Sequence, residues 1–356
     1  MATQTRSEAL PKSHLAENLK NRGWVTLTFI LALILLVLFF LSFSWGRYGI
    51  PLEDIFKVFM YKLGIADVAF ASDFAPTVIF EIRLPRILSA IIIGASLSVA
   101  GASYQGLFTN PLVSPDILGV SAGAGFGAAL GILISGNPFV IQILAFTFGI
   151  LAVFVAYSVS NLVRNNSILT LILAGMAIGS LFNALLSLTK YLADPTEKLP
   201  EIVYWLMGSL GNISNKDILM AGIPMAISLI ILMAIRWQLN ALSMGEEEAL
   251  ALGVDIKKLR LIVILCSTIM TASAVCVSGV IGWIGLVIPH MARLLVGPCH
   301  RRMLPVTALL GSIFLLSVDN LTRSAASVEI PIGILTALLG VPFFLYLLSK
   351  SKKGWA

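Results

Sequence analysis

Charge is what this sequence has least of. Only 12% of its 356 residues are Asp, Glu, Lys or Arg, against roughly 25% in soluble domains, while 58% are hydrophobic and the mean hydropathy is +0.95. A chain so poor in charge cannot cover itself with a hydrated surface, so it belongs in a membrane. Cysteine and histidine are scarce too, at three each. That excludes a disulfide-stapled scaffold. There is no HExxH pair, no Cys and His cluster, and no GxGD or GxSG string, so metal and acyl-transfer chemistry have little to work with. A GxxxxGK[ST] phosphate loop is also missing, so the chain is not expected to hydrolyse ATP itself. The 29 glycines keep no collagen period, and no long polar stretch reads as disorder. The net charge of +6 and pI of about 9.3 could suit nucleic acid, but the basic residues sit at the ends of apolar runs and form no stripe.

What the chain does have is long uncharged intervals. A charge at mid-bilayer costs roughly 3 kcal/mol and about 20 apolar residues cross the hydrocarbon, so these intervals measure out spans. Val25 to Trp45 is the first, too long for a cleaved leader and so expected to be a retained anchor. Ile87 to Gly106 is the second. The stretch from Ile117 to Val163 must fold back once, at Ser135, Gly136, Asn137 and Pro138, giving spans three and four. Ile168 to Thr189 and Ile218 to Ile235 follow. Leu261 to Val296 has room for two short spans turning near Ser278, Gly279 and Gly282, and Met303 to Val318 and Ile332 to Ser349 complete the set. The expectation is an all-α polytopic membrane protein with about ten transmembrane helices. Residues 25–350 would form one transmembrane domain between tails at 1–24 and 351–356. Assigning loops alternately puts most Lys and Arg on the side of the termini, so both termini are expected to be cytoplasmic.

Two outer loops are patterned. Gly46 to Glu81 carries an amphipathic stretch around Leu52 to Leu63, and Tyr191 to Asp217 contains the apolar run IVYWLMGSLG. Inside, Gln238 to Arg260 reads as a helical hairpin, with acids opening one helix, Gly253 as a break, and Lys257, Lys258 and Arg260 beyond; a solvated loop is the alternative. Gly119, Gly123, Gly127 and Gly131 recur every four residues and give the third span a smooth face for close helix packing, with Gly94, Ser98 and Ala102 in the same register on the second. Ser180, Asn183 and Ser187 share one face of the fifth span, continued by Lys190. They read either as a weakly polar path wall or as hydrogen bonds between helices. No span carries a carboxylate well inside the membrane, since Asp319 and Glu329 fall near outer helix ends. That argues against an ion-coupled secondary transporter, which remains the rival class of carrier. An intramembrane enzyme would need a reactive pair such as His290 with Cys299.

The strings IRLPRILSAIIIGASLSVAGASYQGLFTNPLVSPDILGVSAGAGFG, LMGSL, LGVD, GVIGWIGLVIPHMARLLVG and PIGILTALLGVPFFLYLL run in order from Ile82 to Leu348. In sequence and spacing they resemble the FecCD family of permeases of binding-protein-dependent ABC importers. The resemblance implies a type II ABC importer permease: a homo- or heterodimer in the lipid bilayer, two cytoplasmic ATP-binding subunits and an extracytoplasmic substrate-binding protein. It implies no enzyme activity, cofactor, metal site or nucleic-acid partner. Ferric siderophore is the cargo it suggests first; haem, cobalamin and molybdate are the alternatives. It also implies residue roles. Arg83 and Arg86 of RLPR and Arg323 of VDNLTRSA would dock acidic residues of the binding protein. Leu242, Gly245, Glu246, Ala249, Leu252, Gly253 and Val254 would belong to coupling helices at about 241–260, resting on the ATPase. Met244 and the three successive glutamates depart from the family pattern there. Asn166, Ser167, Ile168 and Leu169 would form a cytoplasmic gate.

Overall fold

A computed structural model describes residues 12–46, 49–62, 64–65, 74–162, 168–325 and 328–350. Every regular element among them is helical. Helix α1 spans Lys12–Ser42, α2 Leu52–Lys62 and α3 Ala75–Thr77; a π-helical turn, Val78–Arg83, runs on into α4, Leu84–Leu107. Helices α5 (Val120–Ile134), α6 (Pro138–Leu162) and α7 (Ile168–Leu192) follow. Then come α8 (Lys198–Met207), α9 (Asn215–Leu242) and α10 (Glu246–Ala251). Helices α11 (Ile256–Ser278), α12 (Ile284–Val296), α13 (His300–Ser324) and α14 (Ile332–Lys350) complete the bundle.

The all-α, multi-pass membrane class holds, but the count of ten spans does not. Seven described helices are long and apolar enough to cross a bilayer: Gly23–Ser42, Ala75–Leu107, Pro138–Leu162, Ile168–Leu192, Asn215–Leu242, Ile256–Ser278 and His300–Ser324. The three other expected spans are shorter apolar helices, Val120–Ile134, Ile284–Val296 and Ile332–Leu347. For α5 and α12 the reason is visible in the packing. At 1.5 Å per residue, Leu97 lies about 20 Å from one end of α4 and about 15 Å from the other. A Cβ on Gly285, at the start of α12, would come within 2.8 Å of the Leu97 carbonyl oxygen and also touch the Pro115 ring. Gly119, just before α5, adopts φ +85° and lies against Gly179 at the middle of α7. Both helices therefore begin at mid-depth. The chain between α4 and α5 re-enters the bundle non-helically, apart from a 3-10 turn at Pro115–Leu118.

This re-entry overturns one sequence expectation. Asp116 has a carboxylate at mid-depth, next to the N-termini of α5 and α12, where it accepts a hydrogen bond from the Ser121 hydroxyl. A hydropathy pass takes it for a loop residue. The partial positive charge of helix N-termini is what lets a carboxylate sit there. It lines a cavity of about 10 Å³, room for one water, with Thr271 and Gly285 also in the wall.

Small residues set the other close crossings. Gly94 faces the main chain of Gly311, Gly123 and Gly127 face the carbonyls of Phe148 and Leu144, and Gly131 would put a Cβ 2.8 Å from Ile141 Cα. The four-residue glycine register of α5 is thus its contact with α6. The tightest point is Gly101, where a Cβ would lie 2.9 Å from Gly285 Cα and closer still to that residue's carbonyl. Backbone cannot yield as a flexible side chain does. Gly101→Val is expected to destabilise the protein by about 1–3 kcal/mol, read as a lower melting temperature in detergent; an unchanged melting point would refute the contact.

At the end carrying α2 and α8, the one expected to be outer, Phe39, Phe43, Phe59 and Phe80 pack edge to face and hold the last turn of α1 onto α2 and the π turn. The amphipathic stretch forms α2, and the IVYWLMGSLG run divides: its first six residues belong to α8, which ends at Met207, and 208–211 are not helical. The expected inner hairpin is instead the single short helix α10 held between the ends of α9 and α11, with Gly253 (φ +79°) as its break.

Candidate functional site

The end carrying α2 and α8 holds a buried ion network. The π turn and the following α-turn put Arg83 and Arg86 on one face of the chain, and Asp319 and Arg323 stand one turn apart on α13. Arg86 Nε donates to Asp319 Oδ1 at 2.8 Å, Nη1 donates to both Glu329 oxygens at 3.0 Å, and Nη2 donates to Thr322 Oγ1 at 3.1 Å. Arg323 Nε is 3.2 Å from Asp319 Oδ2, an ion contact without hydrogen-bond alignment. Its Nη1 donates to the Trp45 carbonyl at 3.2 Å, and its Nη2 donates to Asn320 Oδ1. Arg83 donates to the Phe43 carbonyl. The structure thus gathers the three expected docking arginines into one cluster, but each is buried, at 5–6% exposure. Asp319 is fully buried, and the Glu329 side chain is 40% exposed. Sequence reading placed these acids at helix ends without pairing them. Asp319 and Arg323 at i, i+4 were the available signal.

The expected path residues lie on α7 with their side chains outward. Ser180, Asn183 and Ser187 are exposed, and the hydroxyls of Ser180 and Ser187 donate to carbonyls one turn back, at 2.9 Å each. Their polarity is therefore folded partly onto their own helix. The same face carries Met176 and Leu173. Of the expected gate, Ile168 opens α7 half-buried and Leu169 is exposed; Asn166 and Ser167 lie outside the described residues, as do residues 1–11 and 351–356 of the tails.

At the opposite end the expected coupling residues divide. Leu242, Ala249 and Val254 point into the core, while Glu246, Leu252 and Gly253 are exposed and Gly245 caps α10 with φ +134°. Leu250, which the motif did not single out, and Met244, the departure from the family pattern, are exposed as Leu252 is. Arg260 Nη2 donates to Glu246 Oε1 at 3.1 Å and fixes α10 to the first turn of α11. Asp255 caps α11 by accepting the Lys258 backbone N–H at 3.1 Å, and that bond holds its carboxyl below the usual range. Between α10 and the neighbouring ends of α6 and α7 is a cavity of about 920 Å³, bounded by Tyr157, Ile168, Glu246 and Leu250 among others. His290 and Cys299 form no reactive pair: the His290 ring lies against Phe344, and Cys299 Sγ accepts from the Asn240 amide at 3.4 Å. Among the described residues no group of three His, Cys, Asp or Glu could hold a metal ion.

A family model described as the FecCD transport family matches residues 34–350. This chain belongs to the FecCD family. It is similar to the molybdate import system permease protein MolB of Haemophilus influenzae, 42% identical over 328 residues that cover 92% of this chain and 96% of the relative. A probable iron chelatin transport system permease protein of Helicobacter pylori is 42% identical over 275 residues, covering 77% and 83%. A solved structure described as a metal-chelate type ABC transporter in an inward-facing conformation superposes with a TM-score of 0.81 at 40% identity, covering 91% of this chain and 99% of the other. As a FecCD permease, the chain is a membrane subunit of a metal-chelate ABC importer, a transport protein and not an enzyme.

Proposed function

We propose that this permease pairs with a second permease subunit, identical or related, so that the α7 faces bearing Ser180, Asn183 and Ser187 line a shared path. A substrate-binding protein would deliver cargo at the outer end. Two ATP-binding subunits would sit against α10, with both termini on that same cytoplasmic side. Residues 166–169 would close the path below.

The observation that carries this reading is the surface of α10. Met244, Leu250 and Leu252 expose apolar side chains around a helix opened by Glu246, Glu247 and Glu248. Lipid does not suit so acidic a helix, and water does not suit so apolar a flank; a protein cleft suits both. The weakly polar α7 wall fits a subunit that passes cargo without holding it, leaving selectivity to the binding protein.

For cargo, ferric siderophore has no advantage over haem, cobalamin or molybdate: the relatives named for molybdate and for iron chelatin are equally identical to this chain, and the molybdate permease is matched over more of its length. Molybdate is the cargo to test first. Proteoliposomes holding the permease with its ATP-binding subunits and binding protein are expected to take up radioactive molybdate only when ATP is supplied. Preference for a ferric siderophore under the same conditions would reassign the cargo. Gradient-driven uptake by the lone permease would overturn the importer reading itself and revive the ion-coupled carrier.

A further inference from the structure

Arg86 is saturated by carboxylates of its own chain, and the two carboxylates differ in kind. Asp319 is fully buried on α13. Glu329 lies on the connection before α14, and its side chain is 40% exposed while holding Arg86 Nη1 through both oxygens. An arginine side chain only 7% exposed cannot be left without its counter-charges, because a buried unpaired charge costs several kcal/mol. It needs a partner at all times, including when nothing is docked outside.

The Arg86–Glu329 pair also sits where several helix ends meet. A Cβ on Gly211, between α8 and α9, would lie 3.2 Å from Glu329 Oε2 and 3.5 Å from Arg86 Nη1. Close by, the Ile332 N–H at the start of α14 donates to the Gly208 carbonyl at 3.0 Å, and the Ser209 N–H donates to the Ser278 carbonyl at the end of α11 at 2.8 Å. The Arg86–Glu329 pair thus adjoins the contact that holds the start of α14 against the 208–211 loop.

We propose that Glu329 is an internal stand-in for an acidic residue of the binding protein, occupying the outward side of Arg86 until docking exchanges one carboxylate for the other. This rests on the reading above that a binding protein docks at this end. Exchange explains how a buried arginine can serve a partner: Asp319 keeps its inner contact throughout, and only the half-exposed outer contact changes hands. The swap is close to neutral in charge, so it permits release as well as capture. Departure of Glu329 also loosens the start of α14 from the 208–211 loop, which links docking to movement of the outer helix ends.

The test is Glu329→Gln in the assembled importer in nanodiscs, titrated with its binding protein, beside Glu201→Gln as the control. Glu201 is an acid on α8 that pairs with Lys198 at 3.4 Å and does not touch Arg86. Removing the competitor should tighten binding about three- to tenfold, with the control within about twofold of the parent. Amide exchange at Ile332 in the undocked importer should also be faster in Glu329→Gln than in the parent or the control. Unchanged or weaker binding by Glu329→Gln, or an equal gain in Glu201→Gln, would overturn the exchange and leave the docking reading standing. A parent importer that binds no binding protein at all would overturn both.

Discussion

Replacing Asp319 with Asn is expected to cost the permease about 3–5 kcal/mol, because two almost wholly buried guanidinium groups lose the carboxylate they share. Asp319 touches Arg86 at 2.8 Å and Arg323 at 3.2 Å, and it has no exposed surface. The ε-nitrogens of both arginines would then face an amide that carries no charge. The expected result is a sharply lower melting temperature and poor recovery from the membrane. Glu329→Gln should behave differently, since a pair with one half-exposed partner contributes under about 1 kcal/mol. Equal loss in the two variants would show that the network is not graded from a structural inner carboxylate to a labile outer one.

The second large effect lies at the opposite end. Changing Leu250 and Leu252 together to Asp is expected to detach the ATP-binding subunits and reduce ATP-driven uptake to background, with the permease still folded. Both side chains are exposed, at 60% and 52%, so the fold gives up little when they change. A protein interface gives up far more, because two apolar anchors become charges that must be desolvated on docking. Co-purification of the subunits is the direct measurement. Full retention with normal uptake would mean that the ATPase sits elsewhere. Ala249→Asp is the contrasting variant: Ala249 is fully buried against the core, so it should damage the permease itself.

How far the sequence could be read depended on whether a feature is local. The α5 glycines at four-residue spacing announced a close helix contact, and α6 makes it, because one helix's periodicity is written in one stretch of chain. The amphipathic α2 and the Gly253 break were legible for the same reason. What was not legible depends on pairs far apart. Arg86 and Asp319 are separated by 233 positions, and nothing local to either says that each neutralises the other. Hydropathy also cannot distinguish a short loop at the membrane surface from one that dives inward. In sequence Asp116 therefore reads as part of an ordinary connection, although its neighbours Pro115 and Gly119 pack against Gly285 and Gly179 deep in the bundle. On α10 the motif pointed to the right turn of chain, while the exposure of Met244 and Leu250 became visible only once Leu242, Ala249 and Val254 were seen to take the inward positions.

The half-length helices carry a consequence for how the protein is made. At 15 and 13 residues, α5 and α12 fall short of the roughly 20 that let a nascent segment leave the translocation channel for lipid unaided. Each is expected to enter together with a longer neighbour that it packs on, α5 with α6 across the tight turn at Gly136–Asn137 and α12 with α13 across Gly297–Pro298. Insertion of this permease is therefore expected to proceed by helix pairs, and lengthening either turn should strand a segment too short to insert by itself.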